Sequence, residues 1–396
     1  MTPKSPNPTP NPTPTPAPTT LTLTPRALNR ATLARQYLLD RTTTPVGEAV
    51  AHLAGLQAQE PQEPFIGLWS RLHAFTPDQL DQALTDRHVV RTHLMRRTVH
   101  LVTGDDALAW RPRHDAMLRQ RVLATYRSEL SGIDLDEVAA AGRAVMADQR
   151  PRTMAELVQA LQDRWPDPPR RALGELLVAA LIPMVQLPPR GLWQQKAGVR
   201  NLPLTTWLGQ DDTLLPEATP PPETAVTPPP EAEDPVGRQL VRRYLAAYGP
   251  AATADIRAWS GLAGLPAAVK AMRDELITFR DERGRTLFDL PDAPRPSPDT
   301  PAPVRFLPAF DNAILGYQDR SRIIDDAHLG LSVEGRRAVL VDGRVAATWT
   351  TQADQLHITP LRPLTTPEQN SLTEEAHTLT TFLNQGITGV EINDSQ

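Results

Sequence analysis

The sequence predicts an α+β fold, mainly α. Three helix–hairpin units are expected in tandem, then a small C-terminal antiparallel β element and a closing helix. Three observations carry this expectation. Hydrophobic residues make up 40% of 396 and aromatics only 5%, a Leu, Ala and Val composition that suits helical cores better than an aromatic-rich β sandwich. The order helix, turn, helix, β-rich pair recurs three times along the chain. Proline is abundant at 42 but clustered, so it marks linkers and turns rather than general disorder.

Residues 1–26 are Pro, Thr and Asn with almost nothing to bury and read as a disordered or polyproline tail. The first unit, 27–150, carries apolar residues at helical spacing over 28–39, 45–57 and 64–72. Thr76-Pro77-Asp78-Gln79 caps a further short helix, with Thr at N-cap, Pro at N1 and Gln at N3. The period then changes: 89–95 and 98–102 are β-rich runs around Arg96-Arg97 and read as a hairpin, followed by a basic helical extension that includes a helix over 134–146. Helices followed by a two-stranded ribbon are the winged-helix order.

The second unit, 151–210, opens on a capping box at Thr153 and Glu156. A second helix over 170–181 follows, then a hairpin pairing 184–187 with 192–195. Residues 211–234 read as an acidic, Pro-rich linker. The third unit, 235–290, repeats the programme, ending in a hairpin of 276–280 with 285–288. After a Pro-rich spacer, 304–390 should hold alternating strands, a tight turn at Asp342-Gly343 and an amphipathic helix over 366–383.

Composition excludes several chemistries. Cysteine is absent, which rules out disulfides, thiolate nucleophiles and Cys-ligated zinc. The nine histidines are scattered without metal spacing, so neither a metal nor another cofactor is expected. No apolar run approaches a membrane span, and the N-terminal residues have no h-region. A cytoplasmic monomer without membrane association is the expectation. Net charge is −5, yet residues 87–127 hold nine arginines (87, 91, 96, 97, 111, 113, 119, 121 and 127) against Asp105, Asp106 and Asp115. A basic stripe on an acidic protein points to a dedicated polyanion-facing surface or to a solvated arginine-rich face.

Gly55-Leu56-Gln57-Ala58-Gln59-Glu60-Pro61 is the candidate site. Pro61 disfavours the α region at Glu60, so the preceding helix should end near Gln57 and leave an extended run. Residues two apart then share a face. Gln57 and Gln59 become a pair of neutral amides, each with two donors and an acceptor, able to hold a water or a sugar–phosphate oxygen. Glu60 should point the other way. The plainer reading is a polar helix terminus bonding its own loop.

Six stretches taken in order resemble the AlkZ/YcaQ family of winged-helix DNA glycosylases. They are residues 55–59, Leu68-Trp69-Ser70-Arg71, 90–102, Leu307-Pro308-Ala309-Phe310-Asp311, Gly316-Tyr317-Gln318-Asp319-Arg320-Ser321-Arg322 and Val341-Asp342-Gly343-Arg344-Val345. The likeness runs from about 28 to 385 and rests on order and spacing rather than on any single motif. It implies three tandem winged helices forming a C-shaped channel of DNA size, and removal of bulky or cross-linked N-alkylated purines from double-stranded DNA. Gln57-Ala58-Gln59 matches the family's Gln-x-Gln branch, which makes Gln57 and Gln59 the catalytic candidates.

Arg91, Arg96 and Arg97 are candidate phosphate contacts, with a salt-bridged strand face as the alternative. His100 stands in a family-like position and is grouped with them as a DNA contact; a lone strand histidine is also an ordinary structural hydrogen-bonder. Asp311 and Asp319-Arg320 fit capping or ion pairing, and Trp69 and Trp193 fit the core. A hairpin, either the one over 186–195 or the one turning at Asp342-Gly343, is expected to probe the DNA without an aromatic cage. The alternative function is a non-catalytic winged-helix DNA-binding regulator.

Overall fold

The computed structural model describes residues 21–211, 234–383 and 386–393. The tail expected at 1–20 and the linker expected over 212–233 lie outside the described residues. The boundary at 26 is too late: Thr22–Leu23 form strand β1, and helix α1 runs Pro25–Arg35. Thr24 caps it by accepting the Ala27 N–H at 3.1 Å, and Pro25 occupies the first turn, where a missing N–H costs nothing. Thr-Pro is a low-complexity dipeptide and a helix start at once, and here it is the start.

Helix α2 (Val46–His52) stops earlier than expected, because Ala54 (φ 53°) and Gly55 (φ 88°) turn the chain through left-handed backbone. A Cβ on Gly55 would lie 2.7 Å from Val102 Cγ1, so the close approach needs glycine. Strand β2 (Leu56–Gln57) follows at once, then α3 (Glu63–Trp69) and α4 (Pro77–Thr85). In α4 the expected capping box forms, with Gln79 accepting the Thr76 N–H at 3.0 Å. Strands β3 (Val89–His93) and β4 (Val99–Thr103) make the expected antiparallel pair. Both Arg96 and Arg97 in their connection have positive φ, 56° and 65°.

Helices α5 (Gly104–Thr125), α6 (Leu135–Met146), α7 (Met154–Leu161) and α8 (Arg170–Glu175) follow, the last continued by a π-helical turn over Leu176–Leu181. Strand β5 (Met184–Gln186) then pairs with β6 (Asn201–Pro203), not with 192–195. Pro188 and Pro189 lack the N–H that a ladder needs, so the chain leaves the sheet and returns at 200, where Leu187 N–H bonds Arg200 O at 2.9 Å. Helices α9 (Leu204–Leu208), α10 (Pro235–Tyr248), α11 (Thr253–Ser260) and α12 (Leu265–Ala271) lead to strands β7 (Ile277–Asp281) and β8 (Thr286–Asp289). Next come β9 (Arg305–Phe306), α13 (Asn312–Leu315), α14 (Leu329–Val333), β10 (Arg337–Val341), β11 (Arg344–Gln352), β12 (Gln355–Pro360), α15 (Thr366–Leu383) and β13 (Gly389–Ile392).

The described residues therefore form a mixed α/β fold with three small sheets, in the orders β2-β4-β3-β5-β6, β1-β7-β8 and β13-β12-β11-β10-β9. The β3–β4 pair, read as the wing of the first unit, and β5, read as part of a separate second wing, lie in one sheet, joined where Thr92 faces Val185. Cores also cross the expected unit borders. One packs α2, α3 and β4 residues such as Val50, Phe65 and Val99 against Phe306, Trp349 and Leu379 of the C-terminal sheet and helix. Another joins α5, α8 and α10. The chain is interlocked rather than beaded, and this brings residues of the last third against β2.

Candidate active site

Gln57 ends β2 directly opposite His100 of β4. The extended run continues one residue further, as Ala58 N–H donates to Val99 O at 2.8 Å. Ala58 is fully buried, whereas Gln57 is half-buried and Gln59 exposed. The alternation expected of an extended run is thus present, with both glutamine side chains on the side away from the core. Each amide is also oriented. Arg96 Nη2 donates to Gln57 Oε1 at 2.8 Å, and Val99 N–H donates to Gln59 Oε1 at 3.2 Å. Both partners can only donate, so the carbonyl oxygens face the protein and the NH2 groups are turned away from these contacts. Each carbonyl keeps a second lone pair.

Gln57 lines a recess of about 270 Å³ together with Arg96, Thr98, Phe310, Tyr317 and Arg320, closed further by Ala258, Leu315, Gln318, Ser332 and Val333. Gln59 is not among the lining residues. The far wall comes from the segment 308–320, which is locked from below. Ala309 N–H donates to Glu63 Oε2 at 2.6 Å, and Glu63, itself buried, pairs with Arg337 at 2.5 Å. Asp311 caps α13 through Ala313 N–H at 2.7 Å and accepts from Arg71 at 2.8 Å, both partners being buried. Capping and ion pairing are therefore the observed roles of Asp311. Phe310 is held in left-handed backbone, φ 60°, between these two anchors.

Arg96 is the hinge of the site. Its guanidinium donates to Gln57 Oε1, to Asn312 Oδ1 at 2.9 Å and to Trp259 O at 2.6 Å. Burial pushes its pKa down to about 10, and the nearby Arg320 and Arg121 push the same way, so it stays charged at neutral pH. Its observed place is inside the site, not on an outer phosphate-facing surface.

The other expected DNA contacts divide. Arg97 is half-buried and donates to Thr125 Oγ1 at 3.2 Å. Arg91 is 2% exposed and donates to Gln186 Oε1 at 3.1 Å. His100 is fully buried. Contact with a phosphate is not open to Arg91 or His100 in this conformation, because the sheet that carries them is covered on both faces. His100 Nδ1 lies 3.1 Å from Thr98 O, and a carbonyl only accepts, so Nδ1 carries the proton and Nε2 is left with a buried, unpartnered lone pair. Burial, then the Arg96 charge, hold the His100 pKa well below the usual histidine value.

The basic stripe is likewise not one surface. Arg111 is buried and paired with Asp115, Arg113 is buried and paired with Asp234, and Arg87 stacks on Trp207. Glu60 is exposed, and its charge acts on Arg91 rather than on the recess. Trp69 and Trp193 pack around Phe382, as expected of core residues. Sequence reasoning missed Arg320, Phe310, Tyr317 and Asn312 as site residues. The stretches 307–311 and 316–322 carry part of the family resemblance, but nothing in one dimension places them against residue 57.

A family model described as "DNA glycosylase AlkZ-like" matches residues 50–382. Among solved structures, the Streptomyces sahachiroi DNA glycosylase AlkZ superposes with a TM-score of 0.73 at 20% identity, covering 94% of this chain and 100% of that one. At that identity the likeness is one of fold. Comparison with curated proteins gives no match.

Proposed function

The chain belongs to the AlkZ-like DNA glycosylase family, and from that premise we propose that it hydrolyses the N-glycosidic bond of bulky or cross-linked N-alkylated purines in double-stranded DNA. Gln57 and Gln59 are its catalytic residues, and its helix–hairpin segments act as tandem winged helices around a DNA-sized channel. The observation that carries this reading is the oriented amide pair: two glutamines on one side of an extended run, each with its carbonyl pinned by a donor.

The chemistry asks little more. Glycosidic cleavage builds oxocarbenium character on the sugar, and an N7- or N3-alkylated purine is cationic and already a good leaving group. No strong general acid is required. The protein must hold a water against the sugar. The second lone pairs of Gln57 Oε1 and Gln59 Oε1 can accept its O–H groups, while the NH2 groups donate to sugar–phosphate oxygens. Positioning of this kind supplies up to ~7–11 kcal/mol in the best cases. Gln59 is exposed and outside the recess, so one half of the pair works in the open, where a large adduct is not excluded.

The test is release of base from a duplex carrying N7-alkylguanine, read as abasic sites. Bulky N7-guanine adducts should be released at rates comparable to, or above, those of small methyl adducts. The Gln57→Ala/Gln59→Ala double variant should lose about tenfold or more, ~1.4 kcal/mol in barrier, with duplex affinity held within a few-fold. Full activity in that variant would remove the assignment of the site.

A further inference from the structure

Two guanidiniums line the recess beside Gln57, and neither meets a carboxylate among the described residues. Among the described residues every partner of Arg96 is neutral: Trp259 O, Gln57 Oε1 and Asn312 Oδ1. The same holds for Arg320, which donates to Ser332 Oγ at 2.9 Å and to Tyr317 O at 3.4 Å. The neighbouring acids are committed elsewhere, Asp311 to Arg71 and Asp319 to Arg283 and Arg285. Other buried and half-buried arginines do have carboxylate partners, among them Arg35, Arg113, Arg243 and Arg337. Two like charges sharing one small recess without an anion is a costly arrangement, and burial lowers the pKa of both.

We infer that this recess is a phosphate-binding subsite, in which Arg320 and Arg96 receive a phosphodiester next to the damaged nucleotide. The inference rests on the glycosylase reading for the source of the phosphate. The forked geometry of arginine suits a phosphate's oxygens, and the Gln57 NH2 adds a neutral donor beside them. The subsite also resolves an electrostatic conflict. A cationic sugar forming at Gln57 would be opposed by two bare guanidiniums, and a phosphodiester seated between them and the sugar removes that opposition. Arg96 then has two tasks, orienting Gln57 and taking the phosphate, whereas Arg320 has only the second.

The experiment measures binding and needs no turnover. The probe is a duplex carrying a single tetrahydrofuran abasic analogue, titrated over a range of salt against the wild-type protein, Arg320→Gln and Arg320→Lys. Arg320→Gln should lower the slope of log affinity against log salt by a measurable part of the ~0.9 that one phosphate contact carries, Arg96 keeping its share, and Arg320→Lys should keep the slope. A neutral methylphosphonate placed in turn at the phosphates flanking the analogue should weaken wild-type binding at one position, and at that position should weaken Arg320→Gln less, because only Arg96 is left to lose the charge. An unchanged slope in Arg320→Gln overturns the subsite. So does saturable binding of inorganic phosphate that Arg320→Gln abolishes while the duplex slope is unchanged, since that assigns the recess to a free anion. Failure to release alkylated bases would remove the glycosylase reading without moving these slopes, so the two fail separately.

Discussion

That Gln57 and Gln59 share a side of the chain was legible because a period of two survives any ambiguity about where a helix ends. The proline after Glu60 disfavours the α region there, and extended backbone through Ala58 puts the pair on one side. Arg91 and His100 were not legible. A strand residue's exposure depends on what covers each face of its sheet, and here the cover comes from segments far along the chain. Two predictions belong at this scale. Burial holds the pKa values of His93 and His114 at about 4, and that of His100 well below its usual value. Below the unfolded pKa of ~6.5 the unfolded chain binds protons that the folded chain refuses, so stability is intact above that pH and falls as pH drops toward 4. Each histidine contributes a slope of up to ~1.4 kcal/mol per pH unit, and the urea midpoint should be clearly lower at pH 5 than at pH 7.5. The second concerns Asp311. Asp311→Ala leaves Arg71 buried without its anion and α13 without its cap, and should cost ~3–5 kcal/mol in denaturant unfolding.

At the scale of elements, the strand pairs 89–95 with 98–102 and 276–280 with 285–288 and the closing helix follow from local pattern, and all three stand in the structure within a residue or two. The pairings that escaped are those with long or parallel returns: β1 on β7, β13 on β12, and β6 on β5 across 187–200. No local period announces a partner that arrives from elsewhere. The two hairpins considered as DNA probes are both docked. The 186–195 segment is held by Gln62 on Leu192 O at 3.0 Å, by Asp81 on Trp193 N–H at 2.8 Å and by Gln194 on Leu383 O at 3.1 Å. The Asp342-Gly343 turn is clasped by Arg26 and Arg30 of α1, which removes it as a free probe. Gly343 has φ 79°, and a Cβ there would lie 2.5 Å from both Asn29 Oδ1 and Leu33 Cδ1. Gly343→Val should therefore cost ~1–3 kcal/mol by prising α1 from the C-terminal sheet, measured as a lowered thermal midpoint with abasic-site formation retained at low temperature.

Across the whole molecule, an acidic chain must still approach a polyanion, and only part of the basic stripe is free to do so. Arg91, Arg111 and Arg113 are spent inside the fold, Arg96 belongs to the recess, and Arg87 lies on Trp207. Arg97, Arg119, Arg121 and Arg127 remain, Arg119 half-buried. Arg97 reaches Thr125 Oγ1 at 3.2 Å, and the Thr125 hydroxyl donates in turn to Arg121 O at 2.8 Å, so the β3–β4 connection and the last turns of α5 present one basic face. Arg121 and Arg127 are exposed, and no carboxylate pairs with Arg97, Arg121 or Arg127 among the described residues. This face, rather than the full stripe, is the proposed duplex-binding surface. Arg97→Ala/Arg121→Ala should reduce the slope of log affinity against log salt by about two phosphate contacts, ~0.9 each. Its effect should add to that of Arg320→Gln, because contacts at separate phosphates release separate counterions. A control pair on the buried side, Arg113 with Asp234, should alter stability and leave the slope alone. An unchanged slope in the Arg97/Arg121 variant would move the duplex to another face of the molecule.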